Sequence, residues 1–282
     1  MPVKSCVTLE NAGAVPDLLG MGKKSYSEIL PAAIDATAVE ARLKALAERH
    51  RRAGNVGIQV LNMIGSQAEG LLSRLPAPVR SRLDDSTERA LRLAMDTAHR
   101  SRGYVAESPG WLSRAMTTAM GAAGGAGGLP TALAELPVTT TVLLRAIQDV
   151  AAEYGFDPDE PGVQYDCIKV FAAAGPLDHD DGSDLAFLST RVAVTGKAVQ
   201  ALVAKVAPRL ATVLGQKLAA QTVPILGAAA GAATNYAFTS YYQQMAHVHF
   251  GLRRLAIEAD RDHAELLEDF RELVALPSVK RA

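Results

Sequence analysis

Two histidines lie in an uncharged stretch near the C-terminus. Residues 222–252 contain no Asp, Glu, Lys or Arg, but they include His247 and His249. Imidazole side chains can act as general acids or bases, or they can bind a metal ion. Two histidines of one helix chelate a metal when they are four residues apart, whereas a separation of two places them roughly 200° apart around the axis. The spacing therefore predicts no metal site at this pair.

A helix must position these histidines. Residues 222–255 predict one that follows Pro224, begins with Gly and Ala, and continues with Tyr, Phe, Gln and His. Four residues spaced by four, seven and seven positions lie along one side of it: Gly231, Asn235, Tyr242 and His249. Gly227 and Gly231 form a GxxxG pattern, which lets another backbone approach closely. Two interpretations follow, a tightly packed core helix and a helix that lines a ligand site.

Composition favours helices and excludes several classes of function. The 282 residues are 49% hydrophobic but only 5% aromatic, so the apolar side chains are mostly Ala, Leu and Val. A net charge of −1 offers no electrostatic footprint for nucleic acid. Cys6 and Cys167 are too few for a disulfide framework, and they do not match a zinc or redox motif. With no apolar run at the N-terminus, these features predict a cytoplasmic protein.

The periodicity of apolar residues predicts an all-α protein. Residues 1–31 are expected to form an irregular arm, and residues 32–282 a single domain of many helices with two glycine/alanine-rich central segments. Gly54 is predicted to end one helix before a second begins at residue 56. Five glycines in residues 121–128 are expected to interrupt another helix. Further breaks are predicted at Pro137 and at Pro208.

Two loops resemble ligand-binding motifs without matching them. Residues 175–184 carry four aspartates and His179, but the glycine and the closing glutamate of a calcium loop are missing from their positions. Residues 18–25 resemble a phosphate loop, yet Asp17 and Lys24 replace its required residues and no strand precedes it. No metal and no cofactor are therefore predicted.

Three segments, in order, carry a family resemblance. They read GGAGGLP at 124–130, ELPVTTTVLLRAIQDVAAEYGFD at 135–157, and VPILGAAAGAATNYAFTSYYQQMAHVHFGLRRL at 223–255. These segments resemble the signature blocks of the EcsC protein family, and the resemblance spans roughly residues 50–265. The family's acidic residue after RRL is displaced, since Ala256 precedes Glu258. The resemblance implies a bacterial, all-helical protein, and the family is named for a neighbour of a transporter operon; it implies no catalytic residues.

These observations lead to a functional hypothesis. The glycine-rich segments 121–128 and 227–231 are expected to pack together, with a polar line at one end that could form the mouth of an apolar cavity. We expect a non-catalytic, membrane-associated protein that binds a lipid, an acyl chain or a protein partner in an envelope, transport or secretion process. The candidate ligand-binding residues are Gly124, Gly128, Glu135, Thr140, Arg145, Gly227, Gly231, Asn235, Tyr242, His247 and His249. The alternative is a hydrolase, metal-dependent or not, that uses His247, His249 and nearby polar groups.

The expected partners follow from the same hypothesis. They are a lipid or membrane surface and a membrane transporter, and nucleic acid is not among them. Residues 115–134 and 223–250 are long and uncharged, but the first contains five glycines and Pro130 and the second many polar side chains. Neither is expected to cross a bilayer. The predicted location is the cytoplasm, with peripheral contact at the inner face of the membrane.

Overall fold

The computed structural model describes residues 33–64, 75–77, 83–101, 110–172, 188, 196–221 and 227–275. Helices and turns account for these ranges, and no strand occurs in them, which confirms the all-α fold. Their helices are α1 (Ala36–Ile64), α2 (Leu83–Ser101), α3 (Gly110–Glu153), α4 (Pro161–Phe171), α5 (Gly196–Gln221), α6 (Gly227–Glu258) and α7 (His263–Ala275). The described residues from Ile34 onward belong to one compact unit. The loop 175–184 and the arm 1–31 lie outside the described residues.

Two long helices form the centre of the fold. α3 has 44 residues and α6 has 32, and the contact between them is extensive. Residues 110–121 of α3 run antiparallel to α6, because Gly110 lies beside Gln243 and Gly121 lies beside Gly231. α1 packs on α6, α2 lies against α3 and α5, and α7 contacts both α1 and α6. The largest fully buried side chains include Phe171, Phe238, Tyr242, Phe250 and Phe270, so the few aromatic residues are concentrated in the core.

The helix ends follow their sequence signals. The side chain of Asp35 accepts a hydrogen bond from the backbone N–H of Ala38 at 2.7 Å and so caps the start of α1. Asp262 caps α7 in the same way, accepting from the N–H of Ala264 at 2.7 Å. α3 ends at Glu153, and Gly155, whose φ of 77° an L side chain would disfavour, allows the turn that follows it.

Two of the predicted helix breaks are wrong, because α1 continues through Gly54 and α5 continues through Pro208. Helical backbone also runs through residues 121–137 of α3, but Gly110 bonds to Gln243 and Glu153 lies 4.0 Å from His247, so both ends of α3 meet the same part of α6. A straight helix of 44 residues would span about 66 Å, so the chain of α3 reverses direction between these ends. One helical glycine costs about 1 kcal/mol relative to alanine and one proline about 3 kcal/mol, and burial against neighbouring helices can exceed these amounts. Thr141 also donates a hydrogen bond to the carbonyl of Pro137 at 2.9 Å. Local propensity was therefore overridden by tertiary packing.

Candidate functional site

A buried polar seam joins α3 to α6. Asn235 donates a hydrogen bond from Nδ2 to the carbonyl of Thr117 at 2.7 Å. The hydroxyls of Thr117 and Thr239 share a hydrogen bond at 2.7 Å, and Gln243 donates to the carbonyl of Gly110 at 3.0 Å. Each of these α6 side chains is at most 3% exposed. Asn235, one of the candidate ligand-binding residues, therefore helps to hold α3 against α6.

The glycine-rich segments meet next to this seam. A Cβ atom added to Gly121 would lie 2.7 Å from the carbonyl carbon of Gly231 and 2.6 Å from Nδ2 of Asn235. Real Cβ atoms do not approach other heavy atoms so closely, so the contact requires glycine at position 121. The expected packing of the two segments is confirmed at this pair. Here the small residues bring the helices into contact and leave no space between them.

Over residues 110–123, α3 buries small and polar residues and exposes apolar ones, which is the reverse of a normal surface helix. Its buried positions carry Ser113, Thr117 and Gly121, which face the seam. Its exposed positions are all apolar: Trp111, Ala115, Met116, Ala119 and Ala123. Trp111 is 62% exposed and Met116 is 49% exposed. We call these five exposed residues the α3 apolar face.

The exposed positions described at the start of α6 are also uncharged. They are Ala228, Ala229 and Tyr236, of which Tyr236 is 47% exposed. A surface helix of a water-soluble protein normally buries its apolar side and exposes its charged side. Exposed apolar surface that covers several helical turns marks contact with a membrane or with another protein.

A second cluster lies where α4 packs against α6. Arg253 donates a hydrogen bond from Nη1 to Oδ2 of Asp166 at 2.6 Å, and Nε2 of His249 lies 3.4 Å from the same oxygen. The guanidinium of Arg253 stacks over the ring of Phe156 at 4.2 Å. We call Asp166, His249 and Arg253 the Asp166 cluster. It borders a cavity of about 280 Å³ that is also lined by Lys169 and His263.

The charges within the Asp166 cluster are set by burial and pairing. Burial by itself raises the pKa of Asp166, but its interaction with His249 and the positive charges of Arg253 and Lys169 outweigh burial and hold that pKa below its usual value. Complete burial lowers the pKa of His249, against the opposing effect of Asp166. At neutral pH the cluster therefore contains a carboxylate, a guanidinium and a neutral imidazole.

His247 lies in a different environment. Its Nε2 atom is 4.0 Å from a carboxylate oxygen of Glu153, and its ring meets the ring of Tyr154 edge-on at 5.8 Å. Burial, and then the positive charges of Arg49 and Arg114, lower the pKa of His247 to about 4. The two histidines therefore contact different groups and do not form one site. Across the described residues, no group of three His, Cys, Asp or Glu side chains could hold a metal ion.

Comparison with known proteins identifies one family. The model of the EcsC protein family matches residues 100–255, more than half of the chain. The chain belongs to the EcsC protein family. The match covers α3, α4, α5 and most of α6, so the seam, the α3 apolar face and the Asp166 cluster all lie within the EcsC region. No curated protein and no solved structure matches the chain.

The other residues predicted to bind a ligand are dispersed in the EcsC region. Thr140 and Tyr242 are fully buried, and the ring of Tyr242 packs edge-on against that of Phe171 at 5.0 Å. Arg145 and Asp149 pair at 3.2 Å with side chains only 13% and 10% exposed, so this ion pair is mostly buried. The side chains of four predicted residues lie outside the described part: Gly124, Gly128, Glu135 and Gly227.

Sequence reasoning missed most members of the Asp166 cluster. Arg253 lies four residues after His249 and therefore on the same side of α6. Asp166 is the only carboxylate in α4, an otherwise mostly apolar helix of 11 residues. These two signals mark Asp166 and Arg253 as unusual, but their pairing across 87 residues depends on the tertiary fold.

Proposed function

We propose that this EcsC-family chain is a non-catalytic, peripheral membrane protein that binds lipid through the α3 apolar face. The observation that carries this proposal is the reversed polarity of α3, which buries Ser113 and Thr117 while Trp111 and Met116 face solvent. Such an arrangement is favourable where the surroundings of the helix are apolar. Trp111 suits this role because its amphipathic ring prefers the boundary between headgroups and acyl chains.

The composition of α3 supports attachment to the bilayer surface. Residues 115–134 carry no charge, but none of the described helices is long and apolar enough to cross a membrane. Full burial of one methionine side chain contributes about 2 kcal/mol, so a few half-exposed side chains support reversible binding. Because the α3 apolar face contains no cation, we expect its binding to depend little on salt or on anionic lipids.

This proposal also covers location and partners. A chain that binds lipid in this way would associate with the inner face of the cytoplasmic membrane. There it could contact a membrane transporter or another component of an envelope, transport or secretion process. The support for such partners is the exposed apolar surface of α3 and α6, which could be covered by acyl chains or by a membrane-embedded protein.

Flotation with phosphatidylcholine vesicles tests the proposal. We expect the wild-type protein to float with the vesicles at both low and high salt. Met116→Glu should weaken vesicle binding by about tenfold or more and so lower the bound fraction, because a carboxylate is costly to bury in lipid. Leu93→Glu is the matched control, since Leu93 is also 55% exposed but lies on α2. Equal loss in both variants, or no binding by the wild type, would refute lipid binding by this face.

A hydrolase is the second candidate function, and the Asp166 cluster is the observation that favours it. A carboxylate beside an imidazole can orient it as a general base, and the lowered pKa of His249 keeps its ring neutral at physiological pH. The adjoining cavity could admit a small substrate. A panel of chromogenic esters and phosphoesters tests this candidate. Activity that His249→Gln abolishes and His247→Gln retains would support a hydrolase, while absence of turnover in the correctly folded wild type would exclude it for those substrates.

A further inference from the structure

A groove separates α1 from α7 on a part of the molecule that the α3 apolar face does not include. Its volume is about 470 Å³, within the range of pockets that bind organic ligands. The apolar residues that line it are Ile34, Ala36, Val39, Leu43, Ala259 and Leu273. We call it the α1–α7 groove.

The groove presents regular helical edges. Val39, Glu40 and Leu43 line it from α1 at helical spacing, and Glu272 and Leu273 do so from α7. The backbone N–H of Ile34 donates a hydrogen bond to the carbonyl of Glu258 at 3.0 Å, which fixes the chain at the end of the groove. An apolar groove between two neighbouring helices can bind the apolar side of a third helix.

The charged lining is predominantly acidic. Three carboxylates, from Glu40, Asp269 and Glu272, stand against one guanidinium, that of Arg261. Arg261 is itself paired with Asp269 at 3.0 Å, and with Glu265, which does not line the groove, at 3.7 Å. Glu40 also pairs with Lys44 of the same helix, and this contact lowers the pKa of its carboxyl. An occupant with positive charges beside its apolar side would complement this rim.

We propose that the α1–α7 groove binds an amphipathic helix of a partner protein. The apolar side of that helix contacts Val39, Leu43 and Leu273, and its Lys or Arg residues pair with Glu40 and Glu272 on the rim. An anionic lipid headgroup fits this site poorly, since the carboxylates would repel it. The inference is independent of lipid binding by α3, because the two surfaces share no residue.

The test uses a short fluorescein-labelled peptide of leucine and lysine, with the leucines at helical spacing. Fluorescence anisotropy measures the affinity of this peptide for the full chain. We expect Glu40→Lys/Glu272→Lys to weaken binding about tenfold or more. Leu273→Lys should weaken it similarly, because a cation would occupy the apolar floor. Glu48→Lys is the matched control, since Glu48 is an exposed α1 residue, paired with Arg52, that does not line the groove. A leucine–glutamate peptide of the same pattern should bind at least about tenfold more weakly than the lysine peptide.

Several results would overturn the inference. One is an equal loss of affinity in Glu48→Lys, which would mean that the peptide responds only to net charge. A second is that the lysine peptide binds Leu273→Lys as tightly as the wild type. A third is that the glutamate peptide binds the wild type as tightly as the lysine peptide does. Free decanoate tests whether the groove binds an acyl chain instead. If decanoate displaced the lysine peptide, and if Glu40→Lys/Glu272→Lys bound decanoate as tightly as the wild type, the groove would be assigned to an acyl chain. Met116→Glu should bind the peptide normally, so failure of lipid binding and failure of this inference are distinguishable.

Discussion

Replacing Gly121 with Ala should destabilise the protein by about 2 kcal/mol. The added methyl group would lie 2.7 Å from the carbonyl carbon of Gly231 and 2.6 Å from Nδ2 of Asn235. Backbone atoms of a packed helix cannot move aside as a flexible side chain can, so α3 and α6 must separate or shift. That movement also strains the hydrogen bond from Asn235 to Thr117, which is 2.7 Å long.

The magnitude combines three contributions. Overpacking of a close contact costs about 1–3 kcal/mol, and the upper part of this range applies where the neighbour is backbone. Weakening of a buried hydrogen bond adds about 1 kcal/mol. Alanine in place of a helical glycine returns about 1 kcal/mol through helix propensity. The balance is a net destabilisation of about 2 kcal/mol.

Two other glycines supply matched controls for the same substitution. A Cβ atom added to Gly54 in α1 meets no atom within 4 Å, so Gly54→Ala should stabilise the protein by about 0.5–1 kcal/mol. Gly251→Ala should fall between the two, because its Cβ would meet Cδ2 of Leu46, the end of a side chain and not backbone, at 2.7 Å. Urea unfolding followed by circular dichroism measures all three. If Gly121→Ala proved as stable as Gly54→Ala, direct contact of α3 with α6 at this point would be disproved.

Two further predictions concern buried charge. The folded pKa of His247, about 4, lies below the unfolded value of 6.5, so its contribution to stability is complete above pH 6.5 and is lost as the pH falls towards 4. The stability of the wild type relative to His247→Gln should therefore decrease by about 2 kcal/mol between pH 7 and pH 5, as measured by urea unfolding at each pH. Arg253→Met should destabilise the protein by about 3–5 kcal/mol, because it leaves the buried carboxylate of Asp166 without its guanidinium partner. The double variant Asp166→Leu/Arg253→Met should lose less than the sum of the single variants, and simple additivity would argue against the pairing.

Much of the fold could be predicted from residue types alone. An excess of Ala, Leu and Val with few aromatic residues indicates helices, and the GxxxG pattern at Gly227 and Gly231 indicates a close helix contact, which the structure places at Gly121 and Gly231. Helix continuity could not be predicted in this way. Gly54 and Pro208 weaken a helix locally, and only the packing of the neighbouring helices determines whether it continues.

The candidate site could be predicted only in part. His249 was identified from its place in an uncharged helix. Its neighbour Asp166 belongs to α4, and no spacing pattern in the sequence relates these two positions. The absence of charge in residues 115–134 is visible in the sequence. Thr117 and Gly121 contact α6, and these contacts decide which side of α3 faces solvent. Trp111 and Met116 lie on that exposed side.

The fluorescence of Trp111 tests lipid binding most directly. It is the only tryptophan in the chain and belongs to the α3 apolar face, where it is 62% exposed. With vesicles of phosphatidylcholine brominated on the acyl chains, we expect its emission to shift to shorter wavelength and to be quenched, both effects being reduced in Met116→Glu and retained in Leu93→Glu. An emission spectrum that does not change when vesicles are added would show that Trp111 stays in water and would contradict the proposal.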